Sequence, residues 1–107
     1  MQTYTAPAHV KRVILTSGEV TTMGGENPDF YTVEISYTPG KLILCTKALK
    51  EWFTEQRSVI HSAEGFARTV GEVVCKVLGV TVIVTVRQVP RGGIGIEAVA
   101  IVIPSQL

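Results

Sequence analysis

Apolar and polar residues alternate along four stretches of this chain. Two of the stretches, residues 9–20 and 30–38, lie in the first half, and two, residues 79–89 and 94–103, lie near the end. Successive side chains of a β-strand point to opposite faces, so the alternation predicts four strands, each with one largely apolar face. A short extended run, residues 42–44, follows the second strand.

Two stretches with helical spacing separate the two pairs of strands. Thr46 is the candidate N-cap of the first helix, whose apolar residues recur three to four positions apart. Ser62 is the candidate N-cap of the second helix, and Gly79 follows its last turn as a stop signal. The predicted order is therefore strand, strand, helix, helix, strand, strand, which is typical of an α+β domain.

Turn signals mark the connections between these elements. Residues 21–29 are rich in glycine, asparagine and proline, which predicts a loop, and residues 90–93 predict a hairpin turn. Residues 1–8 contain Pro7 and predict a loose N-terminal arm. The length fits one domain, residues 1–107.

Two hairpins can form one antiparallel sheet of four strands with both helices packed on one face. The other face would hold a largely apolar set of side chains, namely Ile83, Val99, Ile101 and Ile103. Such a face is unfavourable in water, and 46% of the residues are apolar. We interpret this surplus as surface that binds other subunits, the alternative being a dense core. A barrel closed by several copies would bury the face and pair the open sheet edges.

Charge and composition exclude several function classes. Ten basic and nine acidic residues give a net charge of +1 without a basic block, so the charge balance does not indicate nucleic-acid binding. No apolar run is long enough to cross a bilayer, and the start lacks the apolar segment of a secretory signal, so we expect a cytoplasmic protein without membrane spans. Cys45 and Cys75 lack the spacing of a zinc site, so we predict reduced thiols and no metal.

Three stretches resemble one enzyme family. Residues 27–30, Asn-Pro-Asp-Phe, run into a strand and are similar to the Gln-Pro-Asp-Phe segment of the 7-cyano-7-deazaguanine (nitrile) reductases of queuosine biosynthesis. Residues 46–50, Thr-Lys-Ala-Leu-Lys, resemble that family's Glu-Ser-Lys-Ser-Leu-Lys signature, and residues 90–94 resemble its Pro-Arg-Gly-Gly-Ile turn. The resemblance implies a tunnelling fold, whose subunits associate side by side into barrels, often as two stacked rings. Sites between subunits would bind a purine- or pterin-like base.

The resemblance also implies a reaction. In the family a cysteine thiolate attacks the nitrile carbon to form a thioimide, an aspartate supplies a proton, and NADPH supplies hydride. Asp29 matches the proton donor; without the resemblance it would be a turn residue leading into a strand. Gly24 stands at the nucleophile position and has no side chain. We therefore predict that thioimide chemistry is lost or altered.

Glu64 matches the family glutamate that binds the base. A carboxylate can accept two hydrogen bonds from the N–H edge of a guanine-like ring. The alternative is an acidic residue that stabilises the first turn of a helix. Ala63 precedes it where the family has histidine, and His61 is a candidate substitute.

Leu44, Cys45 and Thr46 fall where the family contacts its substrate. Cys45 stands just before a helix N-terminus, which favours a thiolate and makes it a candidate relocated nucleophile. The alternative is a small buried apolar residue, which is also how we interpret Cys75.

Lys47, Lys50 and Arg91 match cationic positions that the resemblance assigns to the phosphates of NADPH. The alternative is that they are solvated charges. The chain has no glycine-rich dinucleotide-binding motif that opens a helix, so NADPH is implied by the resemblance alone.

Three functions are consistent with these residues. The first is a reductase homologue that binds a 7-deazaguanine-like purine or a pterin at subunit interfaces, with altered chemistry. The second is an active nitrile reductase or amidine-forming enzyme of queuosine or archaeosine tRNA modification with an unusual nucleophile. The third is a non-catalytic structural assembly. Self-association is expected in each case, and tRNA is a partner only by family analogy.

Overall fold

Six strands and two α-helices make up the chain. The computed structural model describes residues 1–107 throughout. The elements are β1 (Thr3–Thr5), β2 (Val13–Gly24), β3 (Asn27–Tyr37), β4 (Leu42–Leu44), α1 (Thr46–Glu55), α2 (Ala63–Leu78), β5 (Val82–Arg91) and β6 (Ile94–Val102), with 3-10 turns at Gln56–Ser58 and Pro104–Gln106. The predicted α+β class and order are confirmed. None of the helices combines the length and apolar character needed to cross a membrane.

Four strands form one antiparallel sheet in the order β2-β3-β5-β6. Because each neighbour runs antiparallel, the β2–β3 and β5–β6 turns lie at the same end of the sheet, which we call the hairpin end. At the opposite end, which we call the distal end, β2 and β5 begin and β3 and β6 finish. In a single chain β2 and β6 are the edge strands, and β2 is paired on its outer side only at Met23, with Val59 and His61.

The first hairpin is tighter than the sequence predicted. Instead of a loop over residues 21–29, both strands continue to a two-residue turn at Gly25 and Glu26. Gly25 has a φ of +82°, which glycine adopts readily and which suits the first position of a hairpin turn. The prediction was wrong because Pro28 was taken as a loop residue, although proline is tolerated at the beginning of a strand.

The N-terminal arm is not loose. β1 pairs with β4, so that Thr3 lies opposite Leu44 and Thr5 opposite Leu42. The Ala6 backbone N–H donates to the Lys41 carbonyl at 2.9 Å, next to this ladder. The prediction of a loose arm over residues 1–8 was wrong because β4 offers a strand edge whose backbone groups need partners.

Both helices pack on one face of the sheet, as predicted. The Ser62 side chain accepts a hydrogen bond from the Gly65 N–H at 3.0 Å, and Gly79 ends α2 with a φ of +70°, so both predicted caps are confirmed. In α1 the N-cap is Cys45, one residue before the candidate Thr46. The core between the helices and the sheet includes Val33, Ile35, Phe66, Val70, Val74, Val82, Val84 and Val86.

The helix-free face carries exposed apolar side chains. Val99 and Ile101 are 59% and 62% exposed, and Ile14 on the edge strand is 58% exposed. The apolar character predicted for this face is thus present in the single chain. That other copies cover the face stays a prediction.

Candidate functional site

The predicted site residues form two groups at opposite ends of the sheet. Asp29 and Glu64 lie at the hairpin end, where β3 and α2 begin. Leu44 lies at the distal end, where its N–H donates to the Tyr37 hydroxyl at 3.1 Å. Asp29 and Tyr37 are eight residues apart on β3, or about 26 Å at a rise of about 3.3 Å per residue. A site that uses both groups therefore needs a second copy of the chain.

Asp29 is held by an ion pair between the two hairpins. Its side chain is only 8% exposed, and Oδ1 accepts a hydrogen bond from Arg91 Nη1 at 2.8 Å. Arg91, predicted to bind cofactor phosphate, thus has a partner within the chain, although its side chain remains 47% exposed. The pair joins the start of β3 to the end of β5 and fixes the carboxylate.

Gly24 leaves the space into which this carboxylate extends. A Cβ atom built on Gly24 would overlap Asp29 Oδ2 and lie 2.8 Å from Asp29 Cγ. No side chain at Gly24 is therefore compatible with the present position of the carboxylate.

Thr22, not Gly24, lies directly opposite Asp29 in the hairpin. Directly opposed side chains point to the same face, so the Thr22 side chain points toward the same side as the carboxylate. Thr22 is fully buried, and its hydroxyl donates to the Tyr31 hydroxyl at 3.0 Å. The sequence alone does not show that Thr22 faces Asp29, because the pairing of β2 with β3 is fixed only by the turn at residues 25–26.

Tyr31 connects these groups. Burial raises the pKa of Tyr31, the hydrogen bond with Thr22 lowers it, and the nearby charges of Asp29 and Glu64 raise it. The phenol is therefore neutral at physiological pH. Both carboxylates lie close enough to influence it, so Thr22, Tyr31, Asp29 and Glu64 form one polar group at the hairpin end.

Glu64 is exposed in the first turn of α2 and forms no ion pair. Because Ser62 caps the helix, the Glu64 carboxylate is not required as a cap. Ala63 is 1% exposed and packs in the core, so its side chain is not available to a ligand. Glu64 is thus the acceptor of this group that is open to a ligand.

His61 attaches the segment before α2 to the edge strand. The backbone N–H of His61 donates to the Met23 carbonyl at 3.0 Å. In the side chain, Nε2 lies 3.0 Å from Gln56 Oε1, and the ring centroid is 4.9 Å from that of Phe66. Burial lowers the pKa of His61, which favours the neutral ring. These contacts indicate a packing residue near Glu64.

Cys45 has the surroundings of a thiolate at the distal end. It is 4% exposed, and the Tyr4 hydroxyl donates to Sγ at 3.6 Å. This hydrogen bond, followed by those from the Ala48 and Lys47 backbone, lowers the pKa of Cys45. In one chain the thiol remains far from Asp29. Burial raises the pKa of Cys75, which lies in the core.

Replacing Tyr4 by Phe is expected to raise the pKa of Cys45. A hydrogen bond to sulfur favours the charged form, so its loss favours the thiol. The measurement is the midpoint of the ultraviolet absorbance of the thiolate as pH rises, which should move to higher pH in Tyr4→Phe. Thr5→Val, on the same strand, should leave it unchanged. An unmoved midpoint in Tyr4→Phe would show that the helix N-terminus alone stabilises the thiolate.

A cleft of about 460 Å³ runs between α1 and the edge strand β2. Its floor is apolar, and Thr46, Lys50 and Arg57 lie along its helix side. Neither Asp29 nor Glu64 lines it. Sequence reasoning missed Arg57, because its place beside the cleft depends on the path of the chain after α1. The cleft has the size of a ligand pocket but lacks the carboxylates of the hairpin end. No group of three or more His, Cys, Asp or Glu side chains is arranged to bind a metal ion.

Comparisons with known proteins agree with the fold described above. The family model described as QueF-like protein matches residues 28–104. Among solved structures, the archaeosine synthase QueF-Like in the apo form superposes with a TM-score of 0.76 and 25% identity, covering 85% of this chain and 92% of that one. No curated protein matches the sequence. The predicted family resemblance and tunnelling fold are confirmed.

Proposed function

Because the chain belongs to the QueF-like protein family, we propose that it binds a 7-deazaguanine-like base in queuosine- or archaeosine-related metabolism. The observation that supports this best is Glu64, which is exposed and forms no ion pair, and whose charge, like that of Asp29, raises the pKa of Tyr31. A carboxylate in this position can accept two hydrogen bonds from the N–H edge of a guanine-like ring. The structural relative is an archaeosine synthase, and tRNA is a proposed partner by analogy.

The proposed site is shared between copies of the chain. One copy supplies Glu64 and Asp29 from its hairpin end, and another supplies the distal residues Leu44, Cys45 and Thr46. The separation of the two groups along β3 supports this arrangement. The largely unpaired edge strands of the sheet and its exposed apolar face also support side-by-side association into a barrel.

The proposed chemistry does not include attack by a thiolate, because no cysteine faces Asp29. Gly24 offers no side chain there, and the residue opposite Asp29 is Thr22, whose hydroxyl is a weak nucleophile without a base that deprotonates it. The proposed role is therefore reversible base binding with altered chemistry. For NADPH, Lys47 and Lys50 are exposed and form no ion pair, so they fit phosphates, whereas Arg91 is already paired with Asp29.

The lowered pKa of Cys45 supports a second candidate function. In this alternative a Cys45 thiolate of one copy meets the nitrile of a base held by Glu64 of another. The protein would then be an active nitrile reductase or amidine-forming enzyme with a relocated nucleophile. Sγ of Cys45 is already hydrogen-bonded to the Tyr4 hydroxyl at 3.6 Å, which favours the first proposal.

Two measurements on the intact protein test the proposal. Thermal unfolding with 7-cyano-7-deazaguanine, 7-deazaguanine or adenine should show a rise in Tm with the two guanine-like bases only. Intact mass spectrometry should show no adduct. An adduct on Cys45 would establish the second candidate. If no base raises the Tm, a non-catalytic structural assembly is the remaining function.

Replacing Glu64 by Gln is expected to weaken base binding about 10- to 100-fold. The change removes a charged acceptor, and a hydrogen bond to a charged group contributes about 1.5–3 kcal/mol. Calorimetric titration measures the Kd. The control is Glu72→Gln on the same helix, where Glu72 Oε1 lies 3.4 Å from Arg68 Nε. Equal weakening in both variants would indicate a general charge effect and contradict recognition by Glu64.

A further inference from the structure

We propose that the distal end carries a second site, for a phosphate-type dianion, formed by Arg12, Ser36, Thr38 and Thr81. This site goes beyond the proposed base site, from which it is separated by most of the length of β3. Four independent features support it: the distribution of charge, the register of the strands, a buried hydroxyl without a partner, and an arginine without an ion pair.

Charge is strongly segregated along the sheet. The distal end comprises residues 1–13, 36–49, 75–83 and 100–107, and it holds five of the ten basic residues and none of the nine acidic ones. The basic residues are Lys11, Arg12, Lys41, Lys47 and Lys76. The net charge of +1 conceals this separation. An anion that approaches the distal end therefore meets a net positive field, and the nearest carboxylates, Glu34 on β3 and Glu51 on α1, lie just outside these segments.

The strand register and the strand ends bring the proposed ligands together at the distal end. Ile14 lies opposite Ser36, and Ser36 lies opposite Ile83, all on the helix-free face. The next polar residues outward lie just beyond the distal ends of β2, β3 and β5. These are Arg12, Thr38 and Thr81. They border a cleft of about 260 Å³, which is lined by Arg12, Ser36, Tyr37, Thr38, Thr81 and Ile83.

The Ser36 hydroxyl lacks a hydrogen-bond partner. Ser36 is 5% exposed, and its Oγ is the one buried side-chain oxygen or nitrogen without a partner in the protein. Such groups are uncommon in native structures. Ser36 is one of the residues that line the cleft. A ligand oxygen there would satisfy the Ser36 hydroxyl.

Arg12 supplies the positive charge of the cleft. It is exposed and forms none of the ion pairs of the chain. The guanidinium fork matches two oxygens of a phosphate, and the hydroxyls of Thr38 and Thr81 can donate to the others. A neutral or cationic ligand would gain little from this set. The chemistry therefore selects a phosphate, either free or in a polynucleotide backbone.

Titrations of the full-length protein with inorganic phosphate and with a ten-nucleotide oligouridine, at constant ionic strength, test the site. Calorimetry should show phosphate binding that is at least tenfold weaker in Arg12→Gln and several-fold weaker in Ser36→Ala. Arg68→Gln, a matched control on the exposed side of α2, should bind as the unmodified chain does. Base-dependent thermal stabilisation should be unchanged in Arg12→Gln, which separates this site from the base site.

The two arms identify the source of the phosphate. If oligouridine binds more tightly than phosphate, and its affinity falls in Lys76→Gln, the site is assigned to a polynucleotide backbone. Phosphate binding that is insensitive to Lys76→Gln, without tighter binding of oligouridine, would assign it to a free phosphate compound. Absence of binding in both titrations would overturn the proposal, as would equal losses in Arg12→Gln and Arg68→Gln.

Discussion

Replacing Thr22 by Cys is expected to convert reversible base binding into a covalent adduct with 7-cyano-7-deazaguanine. Thr22 lies directly opposite Asp29, and opposed residues in a hairpin have Cβ atoms about 4.5–5.5 Å apart. A cysteine there would place a thiol beside the carboxylate without adding volume. The sulfur would form a bond to the nitrile carbon, one π-electron pair would move to the nitrogen, and the nitrogen would take up a proton. Because nothing leaves, the protein mass should rise by the mass of one base.

The matched control is Gly24→Cys. Its Cβ would occupy the space of the Asp29 carboxylate, so the carboxylate would have to move away from Arg91. We expect no adduct and weaker base binding. Both variants are made in a Cys45→Ser background, so that no competing thiol remains at the distal end. An adduct in Gly24→Cys but not in Thr22→Cys would show that residue 24 is the nucleophile position after all.

The difference between these two positions shows where sequence reasoning stopped. Strands, helices and the caps at Ser62 and Gly79 depend on local patterns, and the structure confirms them. The position of the first turn depends on which residues of β2 are buried. Gly24 and Gly25 permit more than one tight turn, and the burial of Val20 and Thr22 against the helices selects the register.

Contacts between distant parts of the chain were also beyond the sequence. The three family motifs identified Asp29 and Arg91 separately, but nothing local indicates that residues 62 positions apart form an ion pair. The hydrogen bond that lowers the pKa of Cys45 comes from Tyr4, 41 positions away, in a segment predicted to be loose. Contacts between residues so far apart in the sequence are decided by the packing of the whole domain.

The second large effect concerns the residue that supports the hairpin-end site. Replacing Phe66 by Ala is expected to lower the free energy of unfolding by about 3–5 kcal/mol, because it removes a buried aromatic ring and leaves a cavity. Phe66 is fully buried, and its ring centroid lies 5.4 Å from that of Tyr31, 6.2 Å from Trp52 and 4.9 Å from His61. The total free energy of unfolding of a small domain is about 5–15 kcal/mol, so this loss is a large part of its stability.

Urea unfolding followed by tryptophan fluorescence measures the effect, with Phe66→Leu as the control that keeps most of the volume. Phe66→Leu should cost less than about 1.5 kcal/mol if shape matters less than filling the space. Since the same ring packs against Tyr31 and His61, Phe66→Ala should also weaken base binding under conditions where the protein remains folded. A loss of stability without any change in base affinity would show that the polar group around Tyr31 keeps its geometry independently of the core beneath it.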